Sequence, residues 1–270
     1  MSATARTYVH GYDEGEQQRL CDQAEALEEL LHAGTRYPPG SRVLEAGCGV
    51  GAQTVALARN SPKARILAVD VSSDSIDQAR RRLERHGFDH VELAQADVRD
   101  LGLPSAGFDH VFVCFVLEHL PEPLAALREL RRVLRPGGTL TVIEGDHGSA
   151  FMHPDDADAR AAVACLVELQ RRAGGDARIG RRLTQLLLQS EFTAVRTVPL
   201  TVYADGPRRE LAEGFTRRTF AAMVAATREA ALRAGLTDAT RFDAGIEALH
   251  RAAGVDGAFC YTFFKSVAWR

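Results

Sequence analysis

At 270 residues, 46% of them hydrophobic, the chain has apolar material for one large core with an elaboration attached. The formal net charge is −3, and the arginine pairs at 80–82, 131–132, 171–172, 181–182, 208–209 and 217–218 are scattered among Glu and Asp, which argues against a nucleic-acid partner. No apolar run approaches the roughly 18 residues of a membrane span, and the first residues lack the apolar centre of a signal peptide, so a cytoplasmic monomer or homodimer with no membrane partner is expected.

The apolar residues Leu20, Ala24, Leu27 and Leu31 recur at helical spacing from Glu14, and Gly34 with Pro38-Pro39-Gly40 ends that helix. Arg42 to Ala46 reads as a strand that meets the glycine-rich Gly47-Cys48-Gly49-Val50-Gly51, after which Thr54 to Ala58 is helical. The unit repeats with a strand from Arg65 to Asp70, a helix carrying Ile76, Ala79 and Leu83, and a strand from Val91 to Asp97. Phe108 to Phe115 is a continuous apolar strand, Pro121 to Arg135 a helix, and Thr139 to Glu144 a further strand. Strands alternating with helices predict a parallel sheet covered on both faces.

Past Gly145 the rhythm breaks. Asp155 to Arg172 and Arg181 to Ser190 read as helices, and Val195 to Tyr203 as a strand whose Pro199 places it at a sheet edge. Arg208 to Gly254 reads as two helices, the first running to about Gly235, before Ala258 to Trp269 closes the chain as an aromatic strand. Cys21, Cys48, Cys114, Cys165 and Cys260 contain no C-x-x-C pair and read as reduced thiols. His86, His90 and His110 are expected to face solvent.

Gly47, Gly49 and Gly51 stand where a strand gives way to a helix, so their backbone can pass close to a bound nucleotide. Gly47-x-Gly49-x-x-Ala52 also satisfies a dinucleotide fingerprint, with Asp70 in place for a ribose, so a nicotinamide reading competes. Glu45 separates the two: a carboxylate beside the loop repels a pyrophosphate but suits a cofactor carrying an ammonium group. S-adenosylmethionine (SAM) has that ammonium and no phosphate.

Val43-Leu44-Glu45-Ala46-Gly47-Cys48-Gly49-Val50-Gly51 resembles motif I of the class I SAM-dependent methyltransferases, in particular the UbiE-like small-molecule enzymes. Asp70, Ala96-Asp97-Val98, Phe108-Asp109 and Leu134-Arg135-Pro136-Gly137-Gly138 follow in the order and spacing of that family. The resemblance implies a three-layer α/β/α Rossmann-like sheet of seven strands, mostly parallel with an antiparallel last strand, to which the length of this chain adds a helical cap outside the shared core. Its expected parts are an N-terminal helical lid at 1–39, a SAM-binding core at 40–204 with 257–270, and an acceptor-binding cap at 205–256.

The resemblance further implies that Glu45 and the backbone of Gly47, Cys48, Gly49 and Gly51 hold the methionine part. Asp70 would grip the ribose, Asp97 the adenine amino group, Val71 and Val98 the adenine ring, and Cys114 with Phe115 the surroundings of the sulfonium. Tyr12 and Gln23 (with Gln18 and Arg19 as alternatives to Gln23) are expected to close over the cofactor, the alternative being a surface arm.

Ligands of open α/β sheets sit outside the carboxyl ends of the strands, which places Phe115 to His119 and Glu144 to His147 on the acceptor side. Glu118, His119, Asp146 and His147 are the candidate bases, His147 first because imidazole titrates near neutral pH. Glu144, Asp146, His147, His153, Asp155 and Asp156 match no metal spacing, so no metal is expected and the acids from Asp155 are expected to cap a helix. Tyr8, Phe215, Phe220 and Met223 are candidates for an apolar acceptor pocket, against a core role for the last three.

The expected activity is methyl transfer from SAM, leaving S-adenosylhomocysteine, to a small aromatic or heteroaromatic acceptor of indole or phenol type, at C, N or O, in secondary metabolism. An RNA or protein methyltransferase and a non-catalytic nucleotide binder are the alternatives.

Overall fold

A computed structural model describes the chain from Glu14 to Arg270, with the side chains of residues 14–18, 20 and 21 outside the description. Tyr8 and Tyr12 lie outside the described residues, as do the side chains of Gln18 and Cys21. The elements run α1 (Glu14–His32), β1 (Arg42–Ala46), α2 (Ala52–Asn60), β2 (Arg65–Asp70), α3 (Ser73–Arg85), β3 (Glu92–Gln95), β4 (Phe108–Cys114), α4 (Pro123–Val133), β5 (Leu134–His153), α5 (Ala157–Arg172), α6 (Leu183–Gln189) and β6 (Thr193–Asp205). Then come α7 (Arg209–Leu211), a wide-turn helical stretch (Ala212–Ala221), α8 (Ala222–Ala225), α9 (Arg228–Arg233), α10 (Ala239–Ala252) and β7 (Ala258–Trp269).

The strands form one sheet in the order β3-β2-β1-β4-β5-β7-β6. β3, β2, β1, β4 and β5 are parallel to their neighbours. β7 runs against β5: Gly137 N–H donates to Arg270 C=O at 3.1 Å, and Arg270 N–H to Gly138 C=O at 3.0 Å, which joins the start of one strand to the end of the other. The Rossmann-like sheet with its reversed last strand is therefore present, and β6 with Pro199 stands at the edge, where a missing N–H is tolerated.

By packing, the chain divides into two compact units. One holds the described residues through Leu27 with Asp146–Arg178 and Thr201–Thr262, and the other holds Glu28–Gly145, Ile179–Leu200 and Phe263–Arg270. The sequence reading sets its boundaries at loops, near 39, 204 and 256. The packing boundaries instead fall inside α1 and at points along β5, β6 and β7, because these elements run on from one unit into the other.

In the unit containing Glu28–Gly145, alternate strand residues Leu44 and Ala46, Val111 and Val113, Leu140 and Val142 bury one sheet face against Leu127 and Leu130 of α4 and Leu183 and Leu187 of α6. Each such leucine or valine side chain contributes on the order of 1.5–3 kcal/mol when withdrawn from water. On the alternate positions, Phe112 stacks on His32 and His110 on Tyr37, at centroid distances of 5.5 and 4.9 Å. His110 is thus half-buried and bonded to Thr139 Oγ1 at 2.7 Å rather than solvent-facing, because it lies under a tyrosine ring that the sequence does not reveal.

In the other unit, Asp156 caps α5 through the N–H groups of Asp158 and Ala159, as expected of the acids at that point. A Cβ on Gly245 of α10 would collide with the Asp158 carbonyl, so the glycine permits the close packing of α10 on α5. The long first helix expected to reach about Gly235 is broken at Thr227, whose hydroxyl turns back to Val224 C=O at 2.7 Å, and α9 starts afresh beyond it.

One buried cation secures the end of α1. Lys265 Nζ donates to Leu31 C=O at 2.9 Å, Ala33 C=O at 2.8 Å and Thr35 Oγ1 at 2.6 Å, satisfying carbonyls that the helix end leaves open. Burial lowers its pKa to about 8. Lys265→Met is expected to cost about 2–3 kcal/mol in urea denaturation, since three acceptors lose one donor. Between pH 8 and 10.5 the unfolded chain holds the lysine proton more firmly than the folded one, so wild-type stability should rise with pH relative to Lys265→Met over that window.

Candidate active site

The glycine turn is built by backbone bonds that leave one side open. Gly47 N–H and Cys48 N–H both donate to Val69 C=O, at 2.8 and 2.9 Å, which bends the chain sharply out of β1. Gly47 and Gly51 have φ of 79° and 78°, and a Cβ on Gly47 would overlap Val116 while one on Gly51 would press on Ala79 of α3. Gly49, with φ of 52°, has nothing within 4 Å of where a Cβ would stand, so its face is the open side of the turn.

Two carboxyl groups and a thiol meet there. Glu45 is 2% exposed and its Oε2 has no hydrogen-bond partner among the described residues. Burial first, then the charge of Asp70, raises its pKa to about 7 against the opposing Thr54 hydroxyl. Asp70 accepts Gly49 N–H on Oδ2 and Ser72 N–H on Oδ1, both at 2.9 Å, so its carboxylate ties the turn to the start of α3 and keeps acceptor capacity for a ligand. Burial also raises its pKa, and burial with Glu45 and Asp70 nearby pushes the Cys48 thiol far above its usual value.

Beyond β2, Val71 is 58% exposed, an open apolar surface directly after Asp70, whereas Val98 is buried. Asp97 does not stand free. Its carboxylate takes the Arg99 backbone N–H at 2.9 Å and is gripped by the Arg99 guanidinium, so its first role is to hold the turn after β3.

At the end of β4, Cys114 is buried and its thiol is held well above its usual pKa, by burial first and then by Glu144, Glu45 and Glu118. Phe115 follows with φ of 58°, its ring 5.3 Å from that of Phe263. Glu118 is buried, and its Oε1 lies 3.6 Å from His119 Nε2. Glu144 is expected from the sequence on the acceptor side, among acids that match no metal spacing. Its Oε1 accepts the N–H groups of Val116 and Leu117 at 3.0 and 2.7 Å, a role for which the sequence carries no signal beyond an acid at a strand end.

In the unit containing Asp146, that residue is 2% exposed and accepts Gly148 N–H at 3.0 Å. His147 Nδ1 lies 2.7 Å from the Tyr261 hydroxyl, and its ring meets that of Phe220 edge-on at 6.1 Å. Phe215 and Phe220 are 1% and 2% exposed and pack on Phe259 and Tyr261, so the structure places them in the core of this unit, with Met223 also buried. Gln23 accepts from the buried Arg19 at 3.2 Å.

The fold and the acid-lined glycine turn define a Rossmann-like domain suited to a cationic nucleoside. Residues 44–142 match a family model described as a methyltransferase domain. A 37.1 kDa protein of transposon Tn4556 from Streptomyces fradiae is 34% identical over 201 residues, covering 73% of this chain and 57% of that protein. A demethylmenaquinone methyltransferase of Clavibacter sepedonicus is 39% identical over 105 residues, 39% of this chain and 41% of its own. The chain thus spans about half the length of these curated relatives.

Among solved structures, phosphoethanolamine N-methyltransferase 2 of Haemonchus contortus, in complex with phosphomonomethylethanolamine and S-adenosylhomocysteine, superposes with a TM-score of 0.57 at 15% identity, over 92% of this chain and 52% of that one. That likeness is one of fold. The match over residues 44–142 supports a methyltransferase domain of the class I SAM-dependent family there, with SAM as its cofactor.

The two glycines separate packing from binding. Gly47→Ala, which must displace Val116 from a left-handed backbone position, is expected to cost about 2–3 kcal/mol in chemical denaturation. Gly49→Ala carries only the backbone penalty of about 1 kcal/mol, yet should weaken S-adenosylhomocysteine binding at least tenfold in calorimetry, because its Cβ stands on the open side.

Proposed function

We propose that this chain is a SAM-dependent methyltransferase acting on a small-molecule acceptor, and that the acceptor carries an aromatic or heteroaromatic ring. The observation that carries the reading is the buried Glu45 carboxyl group with an unpartnered oxygen, beside a glycine turn whose one open face is Gly49. An orphaned acid in an apolar setting costs free energy that an ammonium group offsets and a pyrophosphate increases. The residues therefore fit SAM and argue against a nicotinamide dinucleotide.

When bound, SAM supplies a methyl group already activated as a sulfonium electrophile. Glu45 and the Gly47–Gly51 backbone receive the amino-acid end, the spare lone pairs of Asp70 accept the ribose hydroxyls, and Val71 with Val98 takes the adenine face, Asp97 standing at its rim. Cys114 and Phe115 line the mouth of β4. Since the electrophile needs no further activation, the protein's main tasks are to align the acceptor atom and exclude water. Where a proton must leave the acceptor, His119 with Glu118, or His147 with Tyr261, offers an imidazole base.

The name of the demethylmenaquinone methyltransferase, which acts on a quinone, supports a ring-bearing acceptor, and secondary metabolism is the setting we propose for it. Phe215 and Phe220, being enclosed, would support the core of their own unit rather than line an acceptor pocket.

Calorimetry with S-adenosylhomocysteine tests the reading, and a folded chain that binds NAD but neither SAM nor its product overturns it. Because an ammonium beside Glu45 lowers a pKa that stands at about 7, binding should release a proton, and affinity should rise from pH 5.5 to 7.5. Glu45→Gln should flatten that slope, and Asp70→Asn should weaken binding by about 100-fold through loss of acceptor capacity to both ribose and backbone. A mass-shift screen of ring-bearing acceptors against SAM then tests the substrate class. In it, His147→Ala or His119→Ala should lower kcat at least tenfold if that imidazole is the base, with cofactor affinity unchanged.

A further inference from the structure

The β4–β5 ladder ends at the pair Cys114 and Ile143. One step further, Phe115 N–H still reaches Ile143 C=O at 2.9 Å, but the next two N–H groups, of Val116 and Leu117, turn to a side chain, Glu144 Oε1, at 3.0 and 2.7 Å. Glu144 is 0% exposed. The residue between the backbone bonds and the side-chain bonds, Phe115, has φ of 58°, where a bulky side chain crowds its own backbone. The peptide before Phe115 is pinned by Ile143 and the peptide after it by Glu144, so its φ and ψ cannot relax without breaking one of these bonds.

The turn so held does two things. It sets the Phe115 ring against Phe263, and it lays Val116 on the bare Cα of Gly47. A glutamate with no exposed surface touches neither reactant, so its influence runs through the turn. We propose that Glu144 is a positioning residue for methyl transfer: its buried carboxyl group takes over where the β4–β5 ladder stops and locks Phe115 in a strained conformation at the mouth of β4. The kinetic half of this inference rests on the function proposed above, and the structural half does not.

Two pairs of variants test it. The amide oxygen of Glu144→Gln still accepts both N–H groups, so kcat should stay within about threefold of wild type, while Glu144→Ala should lower kcat at least tenfold with the dissociation constant of S-adenosylhomocysteine changed by less than about threefold. Glu144→Asp, too short to reach, should behave like the alanine variant and replaces it if that fails to fold. The second pair uses thermal melting alone. Glu144→Ala should lower Tm by about 5–10 °C, and by less than half as much in a Phe115→Gly background, where glycine adopts the left-handed conformation without restraint.

Equal Tm losses in both backgrounds, or a glutamine variant as damaged as alanine, overturn the clamp. A melting cycle of the expected form in a chain that binds no S-adenosylhomocysteine supports the clamp and overturns the functional reading instead.

Discussion

The chemistry of this chain depends on how its strands end. A backbone N–H that leaves a parallel ladder at the carboxyl edge has no strand partner and must find an acceptor. Here carboxylates supply several of them: Asp70 takes Gly49 and Ser72, Asp97 takes Arg99, and Glu144 takes Val116 and Leu117. Each acid lies one side chain away from the face where ligands of open α/β sheets bind. The same groups that finish the fold therefore also supply hydrogen-bond acceptors near that face.

That arrangement stores a cost. Glu45, Asp70 and Glu144 are withdrawn from water without a basic partner among the described residues, and burial raises the pKa of each. Glu118 adds to the effect on Glu144, against the backbone N–H groups that oppose it. Stability alone would favour apolar residues or paired charges at such points. Acids retained in an apolar setting, together with a left-handed Phe115, are the kind of local inconsistency expected where a cation is to be received and a reacting group held still.

The order of strands and helices was legible because each period was clean: the apolar run of Phe108 to Phe115, the helical stripe of α4, the proline that puts β6 at an edge. Motif I was legible because its chemistry is local, with five residues of one turn and one acid before it. The acid Asp97 was legible in place but not in partner, since its bond to Arg99, two residues on, depends on how the turn folds. Glu144 was hidden because a strand-end glutamate looks the same whether it faces solvent or caps a turn 28 residues back in sequence. The breadth of β5, which runs through Gly145 to His153, was masked by a Gly-Asp-His-Gly stretch whose propensities suggest a loop, though the strand ladder overrides them. The stripe of Phe215 and Phe220 carried no sign of which way it faced, and only packing on β7 resolved it.

Lys265 lends the fold one more property. The sequence holds just two lysines, Lys63 and Lys265, among its 33 basic residues, and the first is exposed whereas the second is sealed beneath the close of α1. Almost all of the positive charge is therefore carried by guanidinium groups that hold their protons far into the alkaline range. A reagent that seeks side-chain amines meets a single ready target in the folded chain. Any labelling that spreads from Lys63 to Lys265 reports, residue by residue, the moment at which the end of the first helix lets go.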